Sequence, residues 1–422
     1  MRPTEQRDLR RLIAAYAVNR AGDFLYTVSL VVHVFAVTGS LSWVAVTSIA
    51  RLVPAVLLAP LAGVVADRFD RRRVVMTSCW LGAGVMVALA ALVAAGGPVG
   101  WIPVLAALGV VVNSPSMPAF TALIAQVVPA GQRASANSMV GTVEAAAVAV
   151  GPAAGAVVLL LGPSWPAFLL NAITFLAGAA IVAGVRPVAP SGVSGADPRS
   201  APDRSVAGDL RSGWRASMAP GVRGIVGWTT LVCFLFGVQV VLVAPLSADL
   251  LDTGSWGAGC LEAASGIGGI VAGVWFRRRP AAASAASALP LSVLLTAGGL
   301  ALAVLLPVAP LAWLMMGLAG VGMLIVDVAG LTQLMDRVPE STMGRVDGVA
   351  SSIALAALVA GNALGAVLIE TVGLVGGVLW SVLPAAVIGA VGMVRSRASS
   401  APESAGHRPA ADELARAGEP VG

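Results

Sequence analysis

Gly63-Val64-Val65-Ala66-Asp67-Arg68-Phe69-Asp70-Arg71-Arg72-Arg73 is a short charged junction between two long apolar runs, one near 42–66 and one near 74–95. Its basic residues are all arginine, as are all 26 basic residues of the chain. When the apolar stretches are marked and the gaps between them numbered, every arginine except Arg20 and Arg51 falls in alternate gaps or in the two tails. The remaining gaps hold none, among them Thr38-Gly39-Ser40-Leu41, Gly96-Gly97-Pro98, Asp252-Thr253-Gly254 and Pro307-Val308-Ala309-Pro310. Cytoplasmic loops retain arginine and translocated loops do not. The pattern therefore predicts a multi-pass protein of the cell membrane with both ends in the cytoplasm.

Composition agrees. The chain has 422 residues, 58% hydrophobic and 11% charged, and its mean hydropathy is +0.89. A span takes about 20 apolar residues, because the hydrocarbon core is roughly 30 Å thick and a helix rises about 1.5 Å per residue. Twelve stretches of that kind lie near 12–37, 42–66, 74–95, 101–127, 136–161, 165–185, 223–250, 256–276, 287–306, 311–334, 346–369 and 374–394. Lipid offers backbone groups no partners, so helices are expected, and the short alternating segments of a membrane barrel are absent.

Several functions are excluded or unsupported. Without lysine there is no phosphate-loop Lys, no kinase Lys and no Schiff-base site. His33 and His407 are the only histidines, which gives little basis for a metal centre or Ser-His-Asp chemistry. Cys79, Cys233 and Cys260 all sit inside apolar runs and read as small core residues with no metal or disulfide role. The net charge of +5 is spread over many short loops, so it marks topology and not a nucleic-acid footprint. No cofactor is expected. The abundance of Ala, Arg and Gly suggests a bacterial inner membrane.

The longest polar interval, 186–222, divides the spans six and six, and Asp209 to Arg215 within it reads as a short surface helix. The expected layout is an N-terminal bundle 1–185, a cytoplasmic loop 186–222, a C-terminal bundle 223–394 and a disordered cytoplasmic tail 395–422. The halves match at a constant offset of 210 residues. Pro129 maps to Pro339, Asn137 to Asp347, Gly63 to Gly273, and Gly151-Pro152-Ala153-Ala154-Gly155-Ala156-Val157 to Gly361-Asn362-Ala363-Leu364-Gly365-Ala366-Val367. An even number of spans per copy gives both copies the same orientation, a parallel repeat suited to alternating access around a site between the halves.

The opening stretch resembles the cytoplasmic signature of the major facilitator superfamily: Gly63, Asp67 four residues on, then Arg68 and Arg71 to Arg73. Gly63 would allow close helix approach, and Asp67 would meet the positive end of a neighbouring helix. The resemblance makes that neighbour span 11, near Gly344-Arg345, and the set a cytoplasmic gate. In the second half Arg277 stands where Asp67 would map. Gly151-Pro152-Ala-Ala-Gly155 is similar to the packing motif of drug and proton antiporters in this superfamily. The run Gly22-Asp23-Phe24-Leu25-Tyr26, then Thr38-Gly39-Ser40, Ala50 to Pro54 and Ala136-Asn137-Ser138, resembles the macrolide-efflux and enterobactin-exporter branch. That branch's exporters are largely proton-coupled. The Arg that drug exporters often carry in span 4 is missing from 101–127.

Ionisable groups at membrane depth are costly and usually face a cavity or a partner. Asp23 lies roughly 16 Å along span 1, with Arg20 on the same face. It reads as a proton-exchanging carboxylate, as a pair with Arg20, or as a pair with Arg51. Asp327, with no basic residue within a helical turn, would bind a proton or a cation. Glu144 and Glu262 lie on spans 5 and 8, which the resemblance places face to face, and either would carry protons, contact a cationic substrate or make a structural hydrogen bond. Phe24, Tyr26, Asn113, Trp228 and Gln239 are the cavity candidates.

The reading is an all-α major facilitator transporter, functional as a monomer in the lipid bilayer, that exports small hydrophobic or amphipathic compounds in exchange for protons. Uptake, facilitated diffusion and a transport-inactive sensor are the alternatives, and no enzyme constellation is present.

Overall fold

The computed structural model describes residues 3–129, 133–186, 214–279, 282, 284–338 and 340–400, and no strand occurs among them. The helices are α1 (Pro3–Thr38), α2 (Leu41–Arg68), α3 (Arg71–Ala94), α4 (Trp101–Asn113), α5 (Ser116–Val127), α6 (Arg133–Leu161), α7 (Trp165–Ala183) and a single turn α8 (214–217). The second half holds α9 (Val222–Pro245), α10 (Gly254–Arg278), α11 (Ala288–Leu305), α12 (Ala309–Arg337), α13 (Glu340–Val372) and α14 (Leu374–Ser400). A π-helical turn, Leu246–Leu250, continues α9.

Among the described residues, eleven helical stretches are long and apolar enough to cross a membrane, with α4 and α5 forming one of them across Trp101–Ile124. The stretch expected as the second span contributes the shorter apolar helix Leu41–Ala55, the first part of α2. Two boundaries differ from the sequence reading. The surface helix expected over Asp209 to Arg215 is described only as the turn at 214–217, and α14 continues to Ser400, past the expected start of the tail. The rest of the central interval and residues 401–422 lie outside the described residues.

Local chemistry sets the breaks. Asp70 caps α3 by accepting from the Arg73 backbone N–H at 3.1 Å, a stabilising use of an acid at a helix start. Pro115 lacks an N–H, and α4 ends just before it. Gly39 and Gly96, in two arginine-free gaps, turn the chain at φ +63° and +62°.

The repeat offset reappears as contacts. α1 lies against α6 and α7, and α9 lies against α13. A Cβ on Gly151 would meet the Phe24 Cβ at 2.4 Å, and one on Gly361 would meet the Phe234 carbonyl oxygen at 2.0 Å. Phe24 and Phe234 are themselves 210 residues apart. The halves meet along α6 with α10 and along α2 with α13. Glycines let the first pair touch: a Cβ on Gly259 would sit 2.6 Å from that of Ala156, and one on Gly266 2.6 Å from the Val148 carbonyl oxygen.

At the arginine-poor end the second pair is tied by Glu370 near the end of α13. Its carboxylate accepts from the Ser42 N–H at 2.8 Å, the Ser42 hydroxyl at 2.6 Å and the Ser40 hydroxyl at 3.0 Å. Ser40 makes no side-chain cap of its own, so an acid from one half caps the first helix to return from this end in the other. These bonds must break when the halves part here. Glu370→Ala is expected to cost about 1 kcal/mol, the typical loss of a cap, and so to raise the population open at this end about fivefold. Nitroxides at Val37→Cys and Val372→Cys, with the native cysteines replaced, would report a larger long-distance population. An unchanged distance distribution would remove the latch role.

Candidate functional site

Two of the cavities inside the bundle hold the intramembrane charge candidates. The first, of about 670 Å³, is lined by α1, α2, α3 and the α4–α5 break, and its polar groups include Arg20, Asp23, Tyr26, Thr27, Arg51, Asn113 and Ser114. Most of its charge is internally paired. The Arg20 guanidinium grips Glu144 of α6 with two donors, Nε at 2.8 Å and Nη2, and reaches Asp23 through Nη1 at 3.4 Å. The Tyr16 hydroxyl donates to the same Glu144 carboxylate at 2.6 Å. Tyr16, Arg20 and Asp23 fall on one face of α1 by their spacing, so the network joins one helical stripe to α6.

Arg51 projects from α2. It donates to the Thr27 hydroxyl at 2.9 Å and lies over the Tyr26 ring, 4.9 Å from its centroid, while its buried Nε has no hydrogen-bond partner. Arg20 stands in the same way over Phe24 at 5.0 Å. Of the two pairings weighed for Asp23, the bond within 4 Å is to Arg20, and none is formed with Arg51.

The second cavity, of about 340 Å³, lies between the halves against α9, α10 and α12. Phe24 and Pro152 border it from the first half, so Phe24 lines both cavities. Its acids are Glu262 and Asp327. Glu262 accepts from Gln239 Nε2 at 3.3 Å, leaving the buried Gln239 Oε1 without a partner. Asp327 stands close to the Cys233 thiol. No ion pair to either acid is present among the described residues.

The cavities are related by the repeat. Asp23, Tyr26, Ala55, Val110, Asn113, Ser114 and Met117 line the first, and the residues 210 positions on, Cys233, Phe236, Ser265, Gly320, Met323, Leu324 and Asp327, line the second.

Of the remaining sequence candidates, Trp228 packs near Gly392 and Pro290 and lines neither cavity. Gly63 and Asp67 lie on α2, but the surroundings of Gly63 and the side chain of Asp67 fall outside the described residues. Arg72 donates to the carbonyls of Val182 and Ala183 and Arg11 to that of Gly184, so both satisfy the carboxyl end of α7 within the same half. Gly151 and Gly155 receive the backbone of α1 at Ala21 and Leu25. Sequence reasoning missed Tyr16, Thr27 and Glu370. Tyr16 lies one turn before Arg20, a spacing that marks it as a partner, whereas nothing local marks Glu370.

Two repeat-related helical bundles around cavities that hold ionisable groups define a polytopic membrane protein. The family model of the Major Facilitator Superfamily matches residues 12–361, and the chain belongs to that family, whose fold it has. The nucleoside transporter NupG is similar, with 12% identity, TM-score 0.71, and 93% of this chain and 98% of that one covered. A bacterial homologue of the iron transporter ferroportin in an inward-facing state has 19% identity and TM-score 0.67, covering 92% and 99%. A bacterial homolog of the human lysosomal transporter Spinster, inward-facing and unoccupied, has 16% identity and TM-score 0.65, covering 94% of each chain. At these identities the likeness is one of fold. No curated protein matches the chain in sequence.

Proposed function

We propose that this protein is a twelve-span secondary transporter that exports small hydrophobic or amphipathic compounds in exchange for protons, like the macrolide-efflux and enterobactin-exporter branch it resembles. Both termini are cytoplasmic, residues 1–185 and 223–394 form the two bundles, and the monomer suffices. The observation that supports this reading is the placing of four carboxylates, Asp23, Glu144, Glu262 and Asp327, at or beside cavities inside the bundle, two of them without an ion pair among the described residues. Such groups are retained in a membrane when they bind protons or charged ligands. Asp23 is tied into the Arg20–Glu144 network, so Glu262 and Asp327 are the more available proton carriers.

The test is a pH-gradient dye in energised everted vesicles challenged with lipophilic cations, macrolides, siderophores and sugars. Gradient collapse on adding one compound, lost in Glu262→Gln or Asp327→Asn, is the expected result. Solute movement with no proton response would identify a facilitated-diffusion carrier instead. In the same vesicles Asp67→Asn is expected to slow transport by about an order of magnitude with insertion unchanged. Full activity of that variant would remove the gate role.

A further inference from the structure

We infer that the second cavity is a binding site for an organic cation with an apolar body, held by Glu262 and Asp327 together. This rests on the transporter reading and names the substrate class of the same interior.

The repeat provides an internal control. The first cavity has two cations, Arg20 and Arg51, against Asp23, with Glu144 adding the second negative charge from behind Arg20. In the second half the positions of Arg20 and Arg51 are Thr230 and Leu261, so both cations are gone. Thr230 spends its hydroxyl on the Val226 carbonyl, and Leu261 is fully buried. The acids change position: those of Asp23 and Glu144 become Cys233 and Ala354, those of Leu52 and Met117 become Glu262 and Asp327, and that of Asn113 becomes Met323. One cavity has kept a balanced charge set. Its copy has lost both of those positive charges, carries its two acids at new positions and has become more apolar.

Two carboxylates in an apolar wall without a counter-charge are costly, and a ligand cation relieves that cost. The wall decides which cation. Phe24 and Phe236 supply aromatic rings to the lining, and Met323 and Leu324 offer adaptable apolar contact. No group of three or more His, Cys, Asp or Glu suited to a metal occurs among the described residues, and a hard divalent ion needs six or more oxygen ligands or retained waters. A weakly hydrated organic cation meets both the carboxylates and the rings. The size and mainly apolar lining suit a small molecule oriented by a few polar groups.

The test is equilibrium dialysis of purified full-length protein at one fixed pH with tetraphenylphosphonium. Tetraphenylborate, of the same shape and opposite charge, is the counterpart. Saturable binding of the phosphonium is expected, with no competition from the borate. Glu262→Gln and Asp327→Asn should each weaken binding about tenfold, and the double variant should abolish it. Monodisperse elution of each variant shows that it is folded. If a variant does not fold, protection of wild-type Cys233 from alkylation by the phosphonium but not the borate decides the question. Absent saturable binding, equal binding of both ions, binding unchanged in the double variant, or no protection would overturn the cation site. The transporter reading fails separately, when the vesicles move no compound of any charge.

Discussion

Replacing Arg20 by Met is expected to lower the stability of the protein by about 2–3 kcal/mol and to abolish transport. Arg20 is bonded to two carboxylates, Glu144 and Asp23, and it joins α1 to α6. Without it, two acids face each other with the Tyr16 hydroxyl as the donor left to Glu144. Removing one partner of a buried ion pair costs about 3–5 kcal/mol. The side chains of Arg20, Asp23 and Glu144 keep 27%, 18% and 34% of their exposure, so solvent screens part of that loss. The apparent unfolding midpoint in detergent reports the change. Adding Glu144→Gln to Arg20→Met removes the stranded charge and should recover most of the stability, since contacting pairs couple by roughly 0.5–3 kcal/mol. A double variant that is stable yet inactive would separate the network's role in transport from its role in assembly. An Arg20→Met protein as stable as the wild type would show that the network does not hold α1 to α6.

The fold was legible because its causes are one-dimensional. Hydrocarbon thickness fixes the length of an apolar run, and arginine retention fixes which gaps share a side. Both are read from the chain without knowing what touches what. α2 joins the two kinds of signal: it starts as an apolar helix and ends in the charged junction at Arg68. The site was legible residue by residue and not as a set of partners. Helical spacing pairs Arg20 with Asp23, but the stronger grip is on Glu144, 124 residues away. Arg51 was a reasonable partner for Asp23 by depth, yet Thr27 and the Tyr26 ring take it. The arginines of the charged junction read as a gate between halves, whereas Arg72 is occupied by the carbonyls of α7. The divergence of the two cavities is written in the offset of 210, but only the folded chain identifies which equivalent positions line them.

The second large effect is expected at Gly361. A Cβ there would lie 2.0 Å from the Phe234 carbonyl oxygen and 2.8 Å from its carbonyl carbon. Both are backbone atoms of α9, so no rotamer change relieves the overlap and the helices must separate. Gly361→Val should therefore destabilise by more than about 3 kcal/mol, beyond the usual cost of overpacking, and be seen as loss of monodisperse protein. Gly151→Val should act in the same direction on the α1–α6 contact, where the Phe24 Cβ and the Ala21 carbonyl oxygen stand at 2.4 and 2.8 Å. Gly365→Ala should be far milder, because its nearest neighbour is the movable Val241 Cγ2 at 3.2 Å. Gly141, on the same helix as Gly151, has nothing within 4 Å, and Gly141→Ala should be neutral or stabilising by up to about 1 kcal/mol through helix propensity. Transmembrane helices associate through backbone approach at small residues rather than through a hydrophobic drive. The two repeat-related glycines should then fail together while the open one tolerates change. Equal tolerance at Gly141 and Gly361 would mean that α9 and α13 are not in close backbone contact.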